Sequence, residues 1–345
     1  MERTFNDPST KILGLQWNST HDLLHIKTGN LFNTSPLTKR KILSVIASAF
    51  DPLGTVNILT VFGKLLMQSV RKSQIGWDVH ISDISIITQF EKFLASLAEI
   101  SQLHVPRQLT QSKVVSSCSL HRYCDASQKA YGGCIYLVAI YSDGSKSPRL
   151  ISAKSRVNPI KTKLTLSKLE LWSTLARRIF QLLSISIQIH SVHLWSDSQV
   201  ALSWVKRSPD DFSPFIARRV LTIHENSKEF AWRYVKSHLN SDDLLSRGIF
   251  SSDTWLSWIE GPQFLVDQTE FGSLDSFKLI DDLPERKKVN LALVNSDFNI
   301  WDNVFSRFSD FNTLQRVLAQ IFRFTMLVRK KSNNPLICGK SQNCP

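Results

Sequence analysis

Four carboxylates sit in contexts unlike those of ordinary surface acids. Asp125 closes a strand-like run in Tyr123-Cys-Asp-Ala-Ser127, and Asp197 closes another in Leu194-Trp-Ser-Asp-Ser198. Asp243 opens a helical turn in Asn240-Ser-Asp-Asp-Leu-Leu-Ser-Arg-Gly248, with Asp242 as the alternative acid beside it. Glu170 lies inside an amphipathic pattern, Ser167-Lys-Leu-Glu-Leu-Trp172. Taken singly, each has a plain explanation: Asp197 or Ser198 can cap the helix that follows, and Glu170 can be a solvated flank of its helix. Taken together they describe a chemistry. Four crowded carboxylates repel and must be neutralised. Hard divalent cations with oxygen preference do this, Mg²⁺ most commonly. Two such ions ~3.5–4 Å apart can activate a water and stabilise the departing oxygen of a phosphodiester.

The elements that must position these acids can be read from the periodicity. Ser119–Tyr123, Tyr131–Tyr141 and Leu150–Arg156 alternate or run apolar as strands do, with Asp143-Gly144 as a hairpin turn signal between the second and third. Leu166, Leu169, Trp172, Leu175, Ile179 and Leu182 recur at helical spacing over 166–183. Val192–Ser196 is a fourth strand, 198–205 a short helix, 212–224 a helix carrying Arg218 and Arg219, Phe230–Val235 a fifth strand, and 242–246 the start of a last helix closed by Gly248. The order βββ-α-β-α-α-β-α predicts a mixed five-stranded sheet with helices on its faces, an α+β or α/β arrangement. Before it, Lys11–Trp17 predicts a strand, and three helical stretches follow: 39–50 after Thr38, 56–70 after the breaker Asp51-Pro-Leu-Gly54, and 84–100. That first block, 1–110, is mostly helical. The third, 256–345, is a linker with a helical segment near 312–328.

Charge divides unevenly among these blocks. The chain has 345 residues and a formal net charge of +13. Residues 111–255 carry 20 Lys and Arg against 11 Asp and Glu, so most of the imbalance falls on the block that holds the four acids. An acidic pit in a basic field suits an enzyme acting on a polyanion, with phosphates on the rim; a basic surface without a partner is the alternative. Lys154, Arg156, Lys161 and Lys163 lie between the third strand and the long helix, as backbone contacts or as a solvated loop. Trp172 and Trp204 read as core residues of their helices. No apolar run approaches the ~18 residues of a membrane span, and Met1-Glu-Arg-Thr-Phe has no apolar signal core, so the expectation is an intracellular protein, not a secreted one. Five cysteines without a C-x-x-C pair predict reduced thiols and no zinc site.

The residues also resemble a family. Tyr123-Cys-Asp-Ala-Ser-Gln-Lys-Ala-Tyr-Gly132, Leu164-Thr-Leu-Ser-Lys-Leu-Glu-Leu171, Leu194-Trp-Ser-Asp-Ser-Gln-Val-Ala-Leu-Ser-Trp204 and Asp243-Leu-Leu-Ser-Arg-Gly248 are similar, in that order, to the ribonuclease H signatures of the pol polyprotein of BEL/Pao-type LTR retrotransposons. In block one, Lys11-Ile-Leu-Gly-Leu-Gln-Trp17 and Phe50-Asp-Pro-Leu-Gly54 resemble the end of a reverse transcriptase and its thumb or connection; 305–331 resembles the segment that leads toward integrase.

The resemblance implies a ribonuclease H-like domain over 111–255, a thumb/connection-like remnant over 1–110 and a linker over 256–345. It implies two Mg²⁺ ions, with Mn²⁺ as a substitute, held by Asp125, Glu170, Asp197 and Asp243. The expected partners are an RNA–DNA hybrid or other nucleic acid and the reverse transcriptase and integrase parts of the same polyprotein, in a cytoplasmic virus-like particle with access to the nucleus. His238 takes the place of the loop histidine that moves a proton or helps product leave; a plain surface histidine is the alternative. Arg247 reads as a partner of its helix C-terminus.

Some motifs are lacking. The family's Asn-Pro-Ala-Asp is here Asn240-Ser-Asp-Asp243. No Tyr-x-Asp-Asp turn occurs, so no polymerase activity is expected, and Cys338 and Cys344 lack the partners of an integrase zinc site. Asp143-Gly144-Ser145 is not the Asp-Thr/Ser-Gly of an aspartic peptidase, a weaker reading that the peptidase label sometimes given to this region would suggest. A nucleic-acid-binding relic without chemistry is the main alternative to the nuclease.

Overall fold

The computed structural model describes residues 9–12, 15–26, 36–110, 112–126, 129–158, 166–241, 251–267, 279–281, 283, 286 and 310–332, with Ser9, Ile12, Asp125, Ala126, 166–172, Ser252, Phe311, Leu314 and 327–332 described by backbone alone. Residues 1–287 form one compact unit and 288–345 a second.

At the centre of the first unit is a five-stranded sheet. β5 (Val115–Ala126), β6 (Ala130–Tyr141) and β7 (Lys146–Val157) run antiparallel; β8 (Ile189–Ser196) lies parallel to β5, and β9 (Ala231–Tyr234) parallel to β8. The strand order is β7-β6-β5-β8-β9. Gly144, in the tight turn joining β6 to β7, holds φ +78, which a side chain would strain.

Both faces of the sheet are covered, which is why its strands carry apolar residues at successive positions. One face packs Cys118, Leu120, Ile135 and Leu137 against α4 (Leu166–Leu183), α5 (Gln199–Lys206) and α6 (Pro214–Asn226). There Ala176, Leu202, Trp204, Val220 and Ile223 are buried. The opposite face carries Tyr123, Tyr136, Val138 and Trp195 under α7 (Ser252–Glu260) and the short α8 (Phe264–Asp267). Trp258 of α7 is fully buried there and accepts a hydrogen bond from the Tyr136 hydroxyl at its carbonyl, 2.8 Å. The predicted strand and helix order is therefore observed through β9. The expected helix at 242–248, with Arg247, lies outside the described residues.

The same second-face core continues into the N-terminal block. α1 (Lys39–Ser48), capped by Thr38, α2 (Asn57–Lys72) and α3 (Ile84–Ile100), capped by Asp83, share one apolar cluster with the sheet. In α3 the buried positions Ile86, Phe90, Phe93, Leu97 and Ile100 recur every three or four residues.

The block is mostly helical, as expected, but two readings within it need correction. The run Lys11–Trp17, predicted as one strand, is a hairpin of β1 (Ser9–Ile12) and β2 (Leu15–Asn18). With β3 (Leu23–His25) and β4 (His104–Pro106) it makes a four-stranded antiparallel sheet. Nor is Asp51-Pro-Leu-Gly54 merely a helix breaker. The Asp51 carboxylate accepts from the backbone N–H groups of Gly54, Thr55 and Val56 at 2.8–2.9 Å and from the Thr55 hydroxyl at 3.1 Å. Burial pushes this carboxyl up, against the pull of those bonds. The loop it shapes is clamped by the indoles of α7, Trp255 Nε1 to the Thr55 carbonyl and Trp258 Nε1 to that of Gly54.

β7 is an edge strand, and a bare edge would expose its backbone polar groups. Here α2 and the Asp51 loop cover it. The Ala153 N–H donates to the Leu53 carbonyl at 2.8 Å. The Asn57 side-chain oxygen accepts from the Lys154 and Ser155 N–H groups at 3.1 and 2.9 Å. Lys64 Nζ and Gln68 Nε2 donate to the carbonyls of Ser155 and Asn158.

In the second unit, α9 (Phe311–Ser332) is an amphipathic helix, slightly longer than the predicted 312–328.

Candidate active site

The parallel ladder between β5 and β8 pairs Cys124 with Ser196. The next residue on each strand is an acid, so Asp125 and Asp197 leave two adjacent central strands side by side, at a strand spacing of about 4.8 Å. Asp125 is the penultimate residue of β5, opposite Gly132 of β6. Asp197 is half-buried at the first position past β8. The cap of α5 is Ser198, whose hydroxyl accepts from the Ala201 N–H at 3.2 Å. Of the two capping choices open in the sequence, the structure takes Ser198, and the Asp197 carboxylate is not engaged in capping.

Glu170 lies on α4, which packs across β5, β6 and β8. It stands one turn before Ser173 and two before Ala176, the positions buried against the sheet. The helix is fastened from its other side by Asn226 Nδ2 to Thr174 Oγ1 at 3.1 Å and by the Arg177–Glu229 ion pair at 2.8 Å. Asp242 and Asp243 lie outside the described residues.

The chain leading toward them is anchored. Asn240 is buried, and its Nδ2 donates to the Cys124 carbonyl at 3.4 Å, beside Asp125. His238 is exposed in the 3₁₀ turn Ser237–Leu239 and lines a cavity of about 510 Å³ with Lys146, Arg149 and Glu260. Among the described residues no group of three or more His, Cys, Asp or Glu is gathered around one point. Of the four acids, Asp197 alone contributes a described side chain to that set.

A polar pair of rows on the second face of the sheet escaped sequence reading. Ser119 and His121 on β5 lie in register with Ser191 and His193 on β8. The two imidazoles stack with centroids 4.7 Å apart. Trp195 Nε1 donates to His121 Nδ1 at 3.1 Å, and Arg233 Nε donates to His193 Nδ1 at 2.8 Å. Each Nδ1 must therefore accept, which leaves Nε2–H to face Ser119 Oγ and Ser191 Oγ at 2.9 and 3.0 Å. Burial pushes His121 well below the ordinary histidine range, helped by His193 and Arg233. Burial and the Arg233 charge press His193 down to about 4. The available signal was the alternation Ser-x-His in two apolar strands. Asn240, too, was read only as part of a motif word.

The sheet order, with its antiparallel β5-β6-β7 and its parallel β8 and β9, defines a ribonuclease H-like α+β fold. Residues 38–198 match the family model described as Pao retrotransposon-like RNaseH-like domain, so this stretch is similar to a Pao-type retrotransposon RNase H-like fragment. The match begins at the cap of α1, spans the covered edge strand, and takes in Asp125, Glu170 and Asp197. No curated protein sequence matches the chain significantly. Among solved structures, RuvC of Thermus thermophilus aligns at 9% identity and a TM-score of 0.22, over 44% of this chain and 83% of that one. RNase H1 from the halophilic archaeon Halobacterium salinarum NRC-1 aligns at 13% identity and a TM-score of 0.21, over 38% of this chain and 94% of that one.

Proposed function

We propose that the chain is a divalent-metal-dependent endonuclease that cuts the RNA strand of an RNA–DNA hybrid, as part of a retrotransposon pol polyprotein. The observation that carries this reading is the emergence of Asp125 and Asp197 side by side from β5 and β8. The carboxylate oxygens of Asp125, Asp197, Glu170 and Asp243 are the hard donors that Mg²⁺ or Mn²⁺ prefers. When bound, such ions would make a water nucleophilic near neutral pH and stabilise the departing alkoxide.

The chain's own residues do the rest. Asn240 ties the segment that carries Asp243 to the end of β5. Ser198 holds the start of α5, and so keeps Asp197 at the strand end. His238, exposed in its turn, is the residue this reading assigns to product release. Water adds to phosphorus, the P–O3′ bond breaks, and the 3′ oxygen takes up a proton, leaving a 3′-hydroxyl and a 5′-phosphate. A hybrid is told from DNA by its shape and by its 2′-hydroxyl groups.

A binding module without turnover is the second reading, favoured by the departure of Asn240-Ser-Asp-Asp243 from the family word. Incubation of a labelled hybrid with the intact chain, with Mg²⁺, with Mn²⁺ and with EDTA, decides between them. Metal-dependent cutting of the RNA strand supports the enzyme, and salt-sensitive binding without cutting supports the module.

A further inference from the structure

Between α1, α2 and the edge strand β7 runs a groove of about 930 Å³. Lys64, Arg71, Lys72 and Arg156 line it, and among the described residues no carboxylate does. Its apolar surface comes from Leu43, Ile46, Met67 and Val157. Arg71, Lys72 and Arg156 are exposed. Lys64 is held in place by its bond to the Ser155 carbonyl at 3.3 Å. Desolvation pushes its pKa down, and Arg156 pushes the same way, against Asp51. Cations gathered this closely without an acid lining the same groove lower their mutual repulsion when an anion enters.

The register fixes where this groove lies. Asp125 stands opposite Gly132 on β6, and Gly132 stands opposite Ser155 on β7. The Ser155 end of the groove is therefore level with the candidate active site, on a strand two spacings or about 10 Å away, and the groove runs outward from there along α2. A few nucleotides of a phosphodiester backbone span that reach.

We propose that this groove binds the sugar–phosphate backbone of the nucleic acid next to the cutting site, with the four cations on phosphates and Leu43 and Met67 against the sugars. The proposal rests on the reading above for the class of partner, not for cleavage: a chain without turnover would use the groove as well. It makes the N-terminal helices part of the substrate surface instead of a bystander to the sheet.

The test is fluorescence anisotropy of a labelled 20-base-pair RNA–DNA hybrid titrated with the intact chain in EDTA, at several KCl concentrations. For Arg71→Gln/Lys72→Gln the salt slope of log Kd should fall by about two, and for Arg156→Gln by about one. Kd at the lowest salt should rise around tenfold or more in the double variant, with an unchanged thermal midpoint. The control Lys92→Gln/Lys228→Gln, which removes two exposed cations elsewhere, should leave the slope near that of the wild type. Equal slopes in wild type and groove variants, an equal fall in the control, or no binding by the wild type would each overturn the proposal. Asp197→Asn, run beside them, separates the two ideas. If it cuts as the wild type does, the active-site reading fails, while the slopes still decide the groove.

Discussion

Cys124 on β5 and Ser196 on β8 are partners in a parallel ladder, and each is followed at once by an aspartate. Two like charges forced to the same sheet edge cost free energy unless something neutralises them. The fold does not relieve that cost by capping, because Ser198 takes the cap of α5. A pair of acids in this position, with no capping role for Asp197, suits the proposed cation site.

Asp197→Asn should therefore lower hybrid cleavage by about 10²-fold or more, since losing one charged ligand forfeits several kcal/mol of transition-state stabilisation. Hybrid affinity in EDTA should stay within about twofold, and the thermal midpoint should not fall. A gel-based cleavage time course with matched protein concentrations measures this. Unchanged cleavage would remove Asp197 from the site.

Asn240→Ala should act on the same centre from a distance. The lost bond to the Cys124 carbonyl is worth about 1 kcal/mol to the fold. Its larger consequence should be that the chain leaving Asn240 is no longer tied at the end of β5, so that the Mg²⁺ concentration for half-maximal cleavage rises severalfold while cleavage at saturating Mg²⁺ recovers most of the wild-type rate. A metal titration of variant and wild type shows the shift; identical titrations would show that Asn240 does not position the acid.

The paired rows Ser119-x-His121 and Ser191-x-His193 make stability depend on pH. His193 is held near 4, below its ordinary 6.5, because burial and Arg233 favour the neutral ring. The unfolded chain thus binds more protons between those values, and stability falls as pH drops from 6.5 toward 4. From His193 alone, roughly 2 kcal/mol should be lost between pH 7.5 and pH 5. His121, lowered further, should add to it. Urea midpoints at the two pH values measure the loss, and His193→Gln should flatten the difference. The same pH dependence in that variant would place the protons elsewhere.

Much of the central sheet is legible in the sequence because its signals are local. The helix at 166–183 follows from six apolar residues at helical spacing, and the strand ends at Asp125 and Asp197 follow from where apolar runs stop. What was not legible depends on partners far along the chain. The strand Lys11–Trp17 is a hairpin because β2 pairs with β3, which in turn pairs with His104–Pro106, some eighty residues on. No local property of Asp51-Pro-Leu-Gly54 says that the backbone of β7 will press against it. His121 and His193 look like surface residues until Trp195 and Arg233 supply their partners.

Gly54 shows how closely the N-terminal helices and the sheet are joined. It adopts φ +86, a region that disfavours any side chain, and a Cβ there would lie 2.1 Å from the Ala153 carbonyl oxygen and 2.7 Å from its nitrogen. These are backbone atoms of an edge strand, and they cannot swing aside as a side-chain tip would. Gly54→Ala must therefore strain the loop by ~1–2 kcal/mol and also push it off β7, weakening the Ala153-to-Leu53 hydrogen bond and the Trp258 bond to the Gly54 carbonyl. The expected total is about 3 kcal/mol, a fall in thermal midpoint of roughly 6–12 °C for a unit of this size. Because Lys64 and Arg156 face each other across the same junction, hybrid affinity should fall with it. Circular dichroism melting and the anisotropy titration check the two effects together. A melt within 2 °C of the wild type would mean that the helices are not docked on β7 in solution, and with that both the covered edge and the basic groove beside it would be lost.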